Sequence, residues 1–362
     1  MNAAVIVLSD LFLSPETALE LPAQPGLPAL ALIARFGDRQ ALPGGWREWV
    51  AHWARSAGGG SASARTPVAP ATATATATVA AAAVWRERQV WIRPDGASSP
   101  ATVWLASPVH LLTGLATAHL DRRGILRLSP DEKRLLAEDF RGVFAGTGFA
   151  LIPLHSDGFL LSAPELPLTA APEPARCVGE NLAVSLAVRS GAPLLRQLGA
   201  EIEMWLHGHA LNSNRQQAGL PPITALWLWG GGPAPREAPA AASPVAVAAF
   251  GADPFVDGLW SAGAAAASAL PAQSAEVFGY AGARPVLVVE EVGRMLHSHP
   301  QWLLPDALAE FDRSLLAPAV QRLRGGQLES LHVLANDRCL SLRRSNLLRF
   351  WRRRLRAEAA FR

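Results

Sequence analysis

Lysine is almost missing from this sequence: Lys133 is the only one, so nearly all of the positive charge on its 33 basic residues is arginine. That scarcity excludes chemistries that need an ammonium at a fixed place. A phosphate-binding P-loop lysine follows a Gly-rich turn, whereas Lys133 follows Ser129-Pro130-Asp131-Glu132. Those four residues read as a helix start, with Ser129 as N-cap, Pro130 at the first helical position and Glu132 closing a capping box. Leu135, Leu136, Phe140, Val143 and Phe144 then form the expected buried stripe. This puts Lys133 near the solvated face and argues against a Schiff-base role. Cysteine is nearly as scarce. Cys177 and Cys339 are too few and too far apart for a disulfide framework or a cysteine-built zinc site, and they fit a reducing compartment.

Long apolar runs are also lacking. One long uncharged stretch, Thr66 to Trp85, alternates Ala and Thr with prolines and falls below the apolarity of a membrane-spanning helix. Val5-Ile6-Val7-Leu8 has no basic residue before it and meets Asp10 within a few positions, so it reads as a buried strand rather than a signal peptide. A cytoplasmic protein is expected. No G-x-S-x-G elbow occurs, and Gly230 to Gly232 lead into Pro233 rather than a helix, which fails the context of a nucleotide-binding turn.

What is present is enough to build a core: 362 residues, half of them apolar and 17% charged, well outside the disordered range. Short strand-like runs alternate with helical ones. Strands are expected at 4–9, 85–92, 101–106, 148–154, 224–229, 245–250, 286–290 and 331–335. Helices are expected at 27–35, 46–55, 129–145, 193–209, 257–268, 305–324 and 346–359. Val286-Leu287-Val288-Val289 is apolar on both faces, as a central strand covered on both sides must be. The fold class is therefore α/β, a mixed and largely buried sheet covered by helices, with long low-complexity surface loops. Residues 57–84 and 233–243 carry too few large side chains to offset the entropy of ordering them. The chain thus reads as one α/β unit, residues 1–362, interrupted by disordered loops at those two stretches.

Charge is unevenly distributed. Residues 338–362 hold nine arginines against Glu358, a net of +8, which leaves −5 on the rest of the chain. A nucleic-acid binder would spread its basic surface more widely, so an acidic partner is expected at the C-terminus rather than on the body. There Leu347, Leu348, Trp351 and Leu355 make a stripe among Arg349, Arg352, Arg353, Arg354 and Arg356. Such a helix meets a membrane surface, nucleic acid or an acidic protein, or docks on the body with a solvated arginine face. Docking is the expectation, because the stripe needs cover in the free protein.

The densest polar cluster runs from Glu201 to Gly232. Leu194, Leu198, Ile202 and Trp205 keep helical spacing, and a strand at Thr224 to Trp229 follows a turn containing Gly219-Leu220-Pro221-Pro222. Arg215, Asn212 and His209 suit an anion: guanidinium offers a planar fork, the amide can donate, and glycine amides admit close approach. The alternative gives Arg215 an acidic side-chain partner and makes Asn212 a helix cap. Trp227 and Trp229, two apart on a strand, face one side and either stack on a ligand or pack in the core. His110, after Pro108-Val109, is a pocket residue or the holder of a local hydrogen bond.

His209, Asn212, Arg215 and Gly219, followed by Trp227-Leu228-Trp229-Gly230-Gly231-Gly232, resemble the bacterial RpfE-type regulatory proteins. Those are grouped as phosphoglycerate-mutase-like, since a similar His, Asn, Arg, Gly, Pro series occurs in the archaeal cofactor-independent phosphoglycerate mutases. The resemblance extends to Trp104-Leu105, Pro108-Val109-His110-Leu111, the helix around Leu135 to Phe144, Asp253-Pro254 and Arg349-Phe350-Trp351-Arg352-Arg353. The sequence departs from that pattern at Ser107, Ala210 and Thr224. The resemblance implies a non-catalytic regulatory protein with a pocket for a small phosphorylated or carboxylate ligand at His110, His209, Asn212, Arg215, Gly219, Trp229 and Gly230. A metal-dependent phosphomutase or phosphatase is the alternative, and it requires a serine nucleophile with Asp/His clusters around two metals. Asp10 suits a first metal-binding strand, but His297-Ser298-His299 is an isolated pair. His207 and His209 point apart on a helix, and Glu203 with His207 lacks a third ligand. No metal and no cofactor are expected.

Overall fold

Strands that are apolar on both faces need cover on both sides, and the computed structural model of the chain supplies it. The structure describes residues 2–12, 27–58, 102–114, 117–163, 172–180, 182, 193–234, 247–262, 267–280, 284–335, 337–349 and 351–352. The chain opens with β1 (Ala3–Leu8), α1 (Pro28–Phe36), β2 (Asp38–Ala41) and α2 (Gly45–Gly58). Next come β3 (Thr102–Val109), α3 (Pro130–Val143), β4 (Ala150–Pro153), β5 (Phe159–Ala163), α4 (Pro193–His207), α5 (Ala210–Gln217) and β6 (Ala225–Pro233). It closes with β7 (Ala248–Phe250), α6 (Pro254–Ala262), β8 (Val286–Glu290), α7 (Val292–Ser298), α8 (Leu304–Phe311), α9 (Ala317–Arg324), β9 (Ser330–Ala335) and β10 (Arg338–Arg343). This is a mixed α/β fold.

Where the sequence reads as a single unit, the chain divides into two compact ones. The first holds residues 1–76, 240–252 and 263–362, and the second holds 77–239 and 253–262. The first and second crossings, after residues 76 and 239, fall inside the two low-complexity stretches. Those stretches lie largely outside the described residues, as does the strand expected at 85–92. Residues 57 and 58 belong to α2, and Pro233 to β6.

The first unit is built on a six-stranded sheet ordered β2-β10-β9-β1-β8-β7. β9, β1, β8 and β7 run parallel, with Ile6 paired to both Val288 and Val333, while β10 and β2 add antiparallel edges. Ile6, Leu8, Val288, Leu331 and Val333 point into one core with Leu30, Ile33, Phe311, Leu315 and Leu323. Val5, Val7, Leu287 and Val289 are equally buried on the opposite face. There α2 lays Trp49 against His332, ring centres 5.3 Å apart.

The helix expected at 305–324 is interrupted. A π turn over Asp312–Leu316 separates α8 from α9, just before Pro318, which has no N–H to give to an α-helical ladder. Asp312 accepts from the backbone N–H of Ala29 at 3.2 Å and Leu30 at 2.7 Å, capping α1, whose own N-cap Leu27 has no side-chain acceptor. Burial raises the Asp312 carboxyl, and these two bonds work against that rise.

The second unit carries an antiparallel sheet ordered β4-β5-β3-β6. One face packs Ala106, Phe159, Leu161 and Leu226 against α3, α4 and α5 through Leu136, Phe140, Ile202, Leu206 and Leu211. The other packs Val103, Leu105, Leu160, Trp227 and Trp229 with Leu120 and Cys177.

The stripe on α3 is phased differently from the sequence reading. Leu136, Phe140 and Phe144 are buried as expected, but Leu135 and Val143 are exposed, and Ala137 and Lys133 are buried instead. Positions 133, 136, 137 and 140 share one helical face. The ammonium of Lys133 reaches past the apolar residues to donate to the carbonyl oxygens of Leu154 at 2.6 Å and Ser156 at 2.7 Å. The helix expected at 346–359 lies largely outside the described residues; its described beginning forms a 3-10 turn at Arg344–Leu348 and then a bend held by Arg349 and Arg352.

Candidate functional site

Gly208 ends α4, and the chain restarts as α5 with His209 as its N-cap. His209 Nδ1 accepts from the Leu211 N–H at 3.1 Å. In the neutral ring the proton therefore sits on Nε2, which lies 3.0 Å from Asp139 Oδ2. The imidazole stands edge-on to Trp205, ring centres 5.2 Å apart, and Trp205 in turn meets Phe140 and Phe144 edge to face.

Asn212 uses its whole amide on the backbone. Nδ2 donates to the carbonyls of Leu206 and Ile223, both at 2.8 Å, and Oδ1 accepts from the Ile223 N–H at 2.7 Å. One buried side chain thereby ties the end of α4 to the segment entering β6. Arg215 Nε donates to Pro221 O at 2.9 Å, and Nη1 donates to Glu132 Oε1 at 2.6 Å. The arginine side chain is 5% exposed and the glutamate 20%. Glu132 Oε2 accepts the Ser129 N–H at 2.7 Å, so one carboxylate completes the capping box of α3 and carries the ion pair to α5. Gly219, at φ +72°, ends α5 in the left-handed conformation. Leu220 N–H returns there to Arg215 O at 2.8 Å, the glycine stop expected of such a cap.

Of the other candidates, His110 Nδ1 lies 2.9 Å from Pro222 O, beside the carbonyl that Arg215 uses. Thr224, one of the departures, bridges this segment to β3: its hydroxyl accepts from Leu111 N–H at 2.8 Å and donates to Val109 O at 3.1 Å. Trp229 turns to a different partner, donating to Ser107 Oγ at 2.9 Å. Ser107, another of the departures, thus holds the indole. Trp227 donates to Pro172 O at 3.0 Å. Gly230 takes φ +63° within β6. At Gly231 a Cβ would fall 2.0 Å from Trp104 Nε1, so the glycine at this position makes room for the protein's own indole. The structure thus joins His209, Asn212, Arg215, Gly219 and His110 around the turn between α5 and β6, with Trp229 and Gly230 further along the strand.

Sequence reasoning named Asp10 but missed the polar group it joins, with Glu290 and Arg294 at the carboxyl ends of β1 and β8, where parallel α/β sheets place their ligands. Asp10 accepts from the N–H groups of Val292 and Gly293, each at 2.7 Å. Burial raises the Glu290 carboxyl, and the charge of Asp10 adds to the rise against the pull of Arg294, whose Nε lies 3.8 Å away. The acidic pair Glu290-Glu291 directly after an apolar strand was the signal available. Among the described residues no three of His, Cys, Asp and Glu gather as a metal ion would require, and both Asp10 oxygens already face backbone donors. Cys177 and Cys339 are buried free thiols, and burial pushes Cys339 up to about 12.

The class these elements define is a mixed α/β protein with a hydrogen-bonded polar turn between α5 and β6. No family model and no curated protein matches the chain. Among solved structures it is similar to the cofactor-independent phosphoglycerate mutase of Thermoplasma acidophilum DSM 1728, at 14% identity and a TM-score of 0.40, covering 99% of this chain and 94% of that one. It is also similar to the PH0037 protein of Pyrococcus horikoshii, at 11% identity and a TM-score of 0.46, covering 94% of this chain and 87% of that one.

Proposed function

We propose that the protein works by binding rather than by turnover, as a non-catalytic regulatory protein of the RpfE type, phosphoglycerate-mutase-like and cytoplasmic. One observation carries this reading: the groups that chemistry at the polar turn would call on are engaged within the protein. Asn212 bonds three backbone groups, His209 caps α5, and Arg215 is paired with Glu132. The free buried thiols agree with a reducing compartment.

A small phosphorylated or carboxylate ligand remains part of the proposal, and the geometry says how it would enter. Glu132 is the more exposed partner of the pair, so an incoming anion would take the place of its carboxylate on the Arg215 guanidinium. The test is a thermal-shift titration of wild type, Glu132→Gln and Arg215→Ala with inorganic phosphate and phosphoglycerates, with and without divalent metal, alongside a mutase assay. A ligand at 100 times its Kd stabilises the folded state by about 2.7 kcal/mol. A shift enlarged in Glu132→Gln and lost in a folded Arg215→Ala supports an anion site. No shift leaves binding to macromolecular partners as the function, and phosphoglycerate turnover lost in folded Arg215→Ala overturns the non-catalytic reading.

A further inference from the structure

The end of the described chain is pinned to the first unit in a way that displays two apolar side chains. Leu347 packs against the main core. Asn346 Nδ2 donates to Phe36 O at 3.3 Å and Asp38 Oδ2 at 3.1 Å, and Arg349 Nη1 donates to Asp38 Oδ1 at 2.5 Å. Arg352 Nη1 donates to Gly37 O at 2.8 Å, while Arg35 Nε donates back to Arg352 O at 2.8 Å. Burial alone would raise the Asp38 carboxyl, but its bonds to Arg349 and Asn346 and the charges of Arg349 and Arg352 hold it below the usual range. With the backbone clasped on both sides, Leu348 and Trp351 stand 73% and 69% exposed. In the sequence Arg343 and Arg344 precede this pair and Arg353, Arg354 and Arg356 follow it, within the last 25 residues, whose net charge is +8.

We propose that this face seats on an anionic lipid surface, with arginines meeting the headgroups and Trp351 and Leu348 entering the interfacial layer. Charge complementarity selects the anionic surface. The rest of the chain carries −5, and with a Debye length of about 8 Å at physiological salt the surface responds to the basic end it touches rather than to the overall +3. The exposed pair selects lipid over nucleic acid. An indole is at home at the headgroup level, and an aliphatic Leu348 gains from acyl chains but nothing from a phosphate backbone. Apolar side chains among arginines are the pattern of interfacial binding, where two modest signals act together.

The test is co-sedimentation of the full chain with vesicles of phosphatidylcholine alone and of phosphatidylcholine mixed with phosphatidylglycerol, at low and high salt. Wild type is expected to pellet with the mixed vesicles only and to be released by salt. Leu348→Ser with Trp351→Ser is expected to weaken binding about tenfold or more, from the loss of two apolar insertions, with an unchanged melting temperature. Should that pair of changes unfold the chain, Arg344→Glu, at an exposed position, reads the electrostatic half alone and is expected to weaken binding as well. Absence of binding to mixed vesicles, or binding that none of these changes weakens, overturns the proposal. So does tighter retention on a single-stranded oligonucleotide, indifferent to Leu348→Ser with Trp351→Ser, which assigns the patch to nucleic acid.

Discussion

Asn212→Ala removes one amide and three hydrogen bonds, to Leu206 O, Ile223 O and Ile223 N–H. Each such bond contributes roughly 1 kcal/mol net, and the site is buried, so the loss comes to about 3 kcal/mol. With a urea m-value of about 2 kcal/mol per molar, the midpoint of urea unfolding falls by about 1.5 M at unchanged slope. Asn214, exposed on the same helix, is the control: its alanine variant is expected within about 0.5 kcal/mol of wild type. Asn212→Asp sharpens the test, because it keeps the shape and changes the pattern of donors. An ionised aspartate still accepts from Ile223 N–H but sets an oxygen against two carbonyls. Its folded pKa is therefore raised above the unfolded one, and the variant is most stable at low pH and loses stability as pH rises through the folded value. A midpoint shift under about 0.3 M for Asn212→Ala, or an Asn212→Asp variant without pH dependence, would refute the tie between α4 and β6.

Two further predictions come from buried groups. Lys133→Met keeps the apolar stem but strands the carbonyls of Leu154 and Ser156; a cost of about 1–3 kcal/mol in urea unfolding is expected, where a solvated lysine would give almost none. His332 lies between Ser341 Oγ at 2.9 Å and Ser330 Oγ at 3.2 Å, and burial, with the Arg343 charge adding, pushes its pKa down to about 4. The unfolded ring titrates near 6.5, so between those values the unfolded chain binds the extra proton and stability falls as pH drops from about 6.5 toward 4. The loss reaches up to about 3 kcal/mol. His332→Gln should flatten the slope of stability against pH in that window, and an unchanged slope would remove His332 from the account.

The strands at the centre of the first unit were legible because they are apolar on both faces: β1, β8 and β9 all fall where the sequence reading expects them. The capping box of α3 was legible from four residues. The edges were not. β2 reads Asp-Arg-Gln-Ala, a short polar strand of the kind that blunts a sheet edge, and it carries no alternation to detect. β10 and β5, each paired on both sides within its sheet, were missed as well. A C-terminal helix was expected from a local apolar stripe, but over its described beginning Asp38, more than 300 residues earlier, draws Arg349 and Arg352 into a bend, and there tertiary partners overrode local propensity. At the polar turn the residue types were readable and their partners were not. Glu132 lies 83 positions from Arg215, so periodicity shows a capping residue and nothing of the second job of its carboxylate.

The pairing of β1 sets an order of assembly. Residues 3–8 leave the ribosome well before both of their neighbours, β8 and β9, which lie about 280 or more positions later. At roughly 5–20 residues per second, the first strand waits about 15–60 s for a partner. In that time the antiparallel sheet of the second unit, drawn from residues 102–233, is made in full. This apolar strand thus stays without a sheet partner while the whole second sheet is made. The wait leaves six apolar residues without their sheet partners during synthesis, a hazard that the stability of the finished fold does not measure.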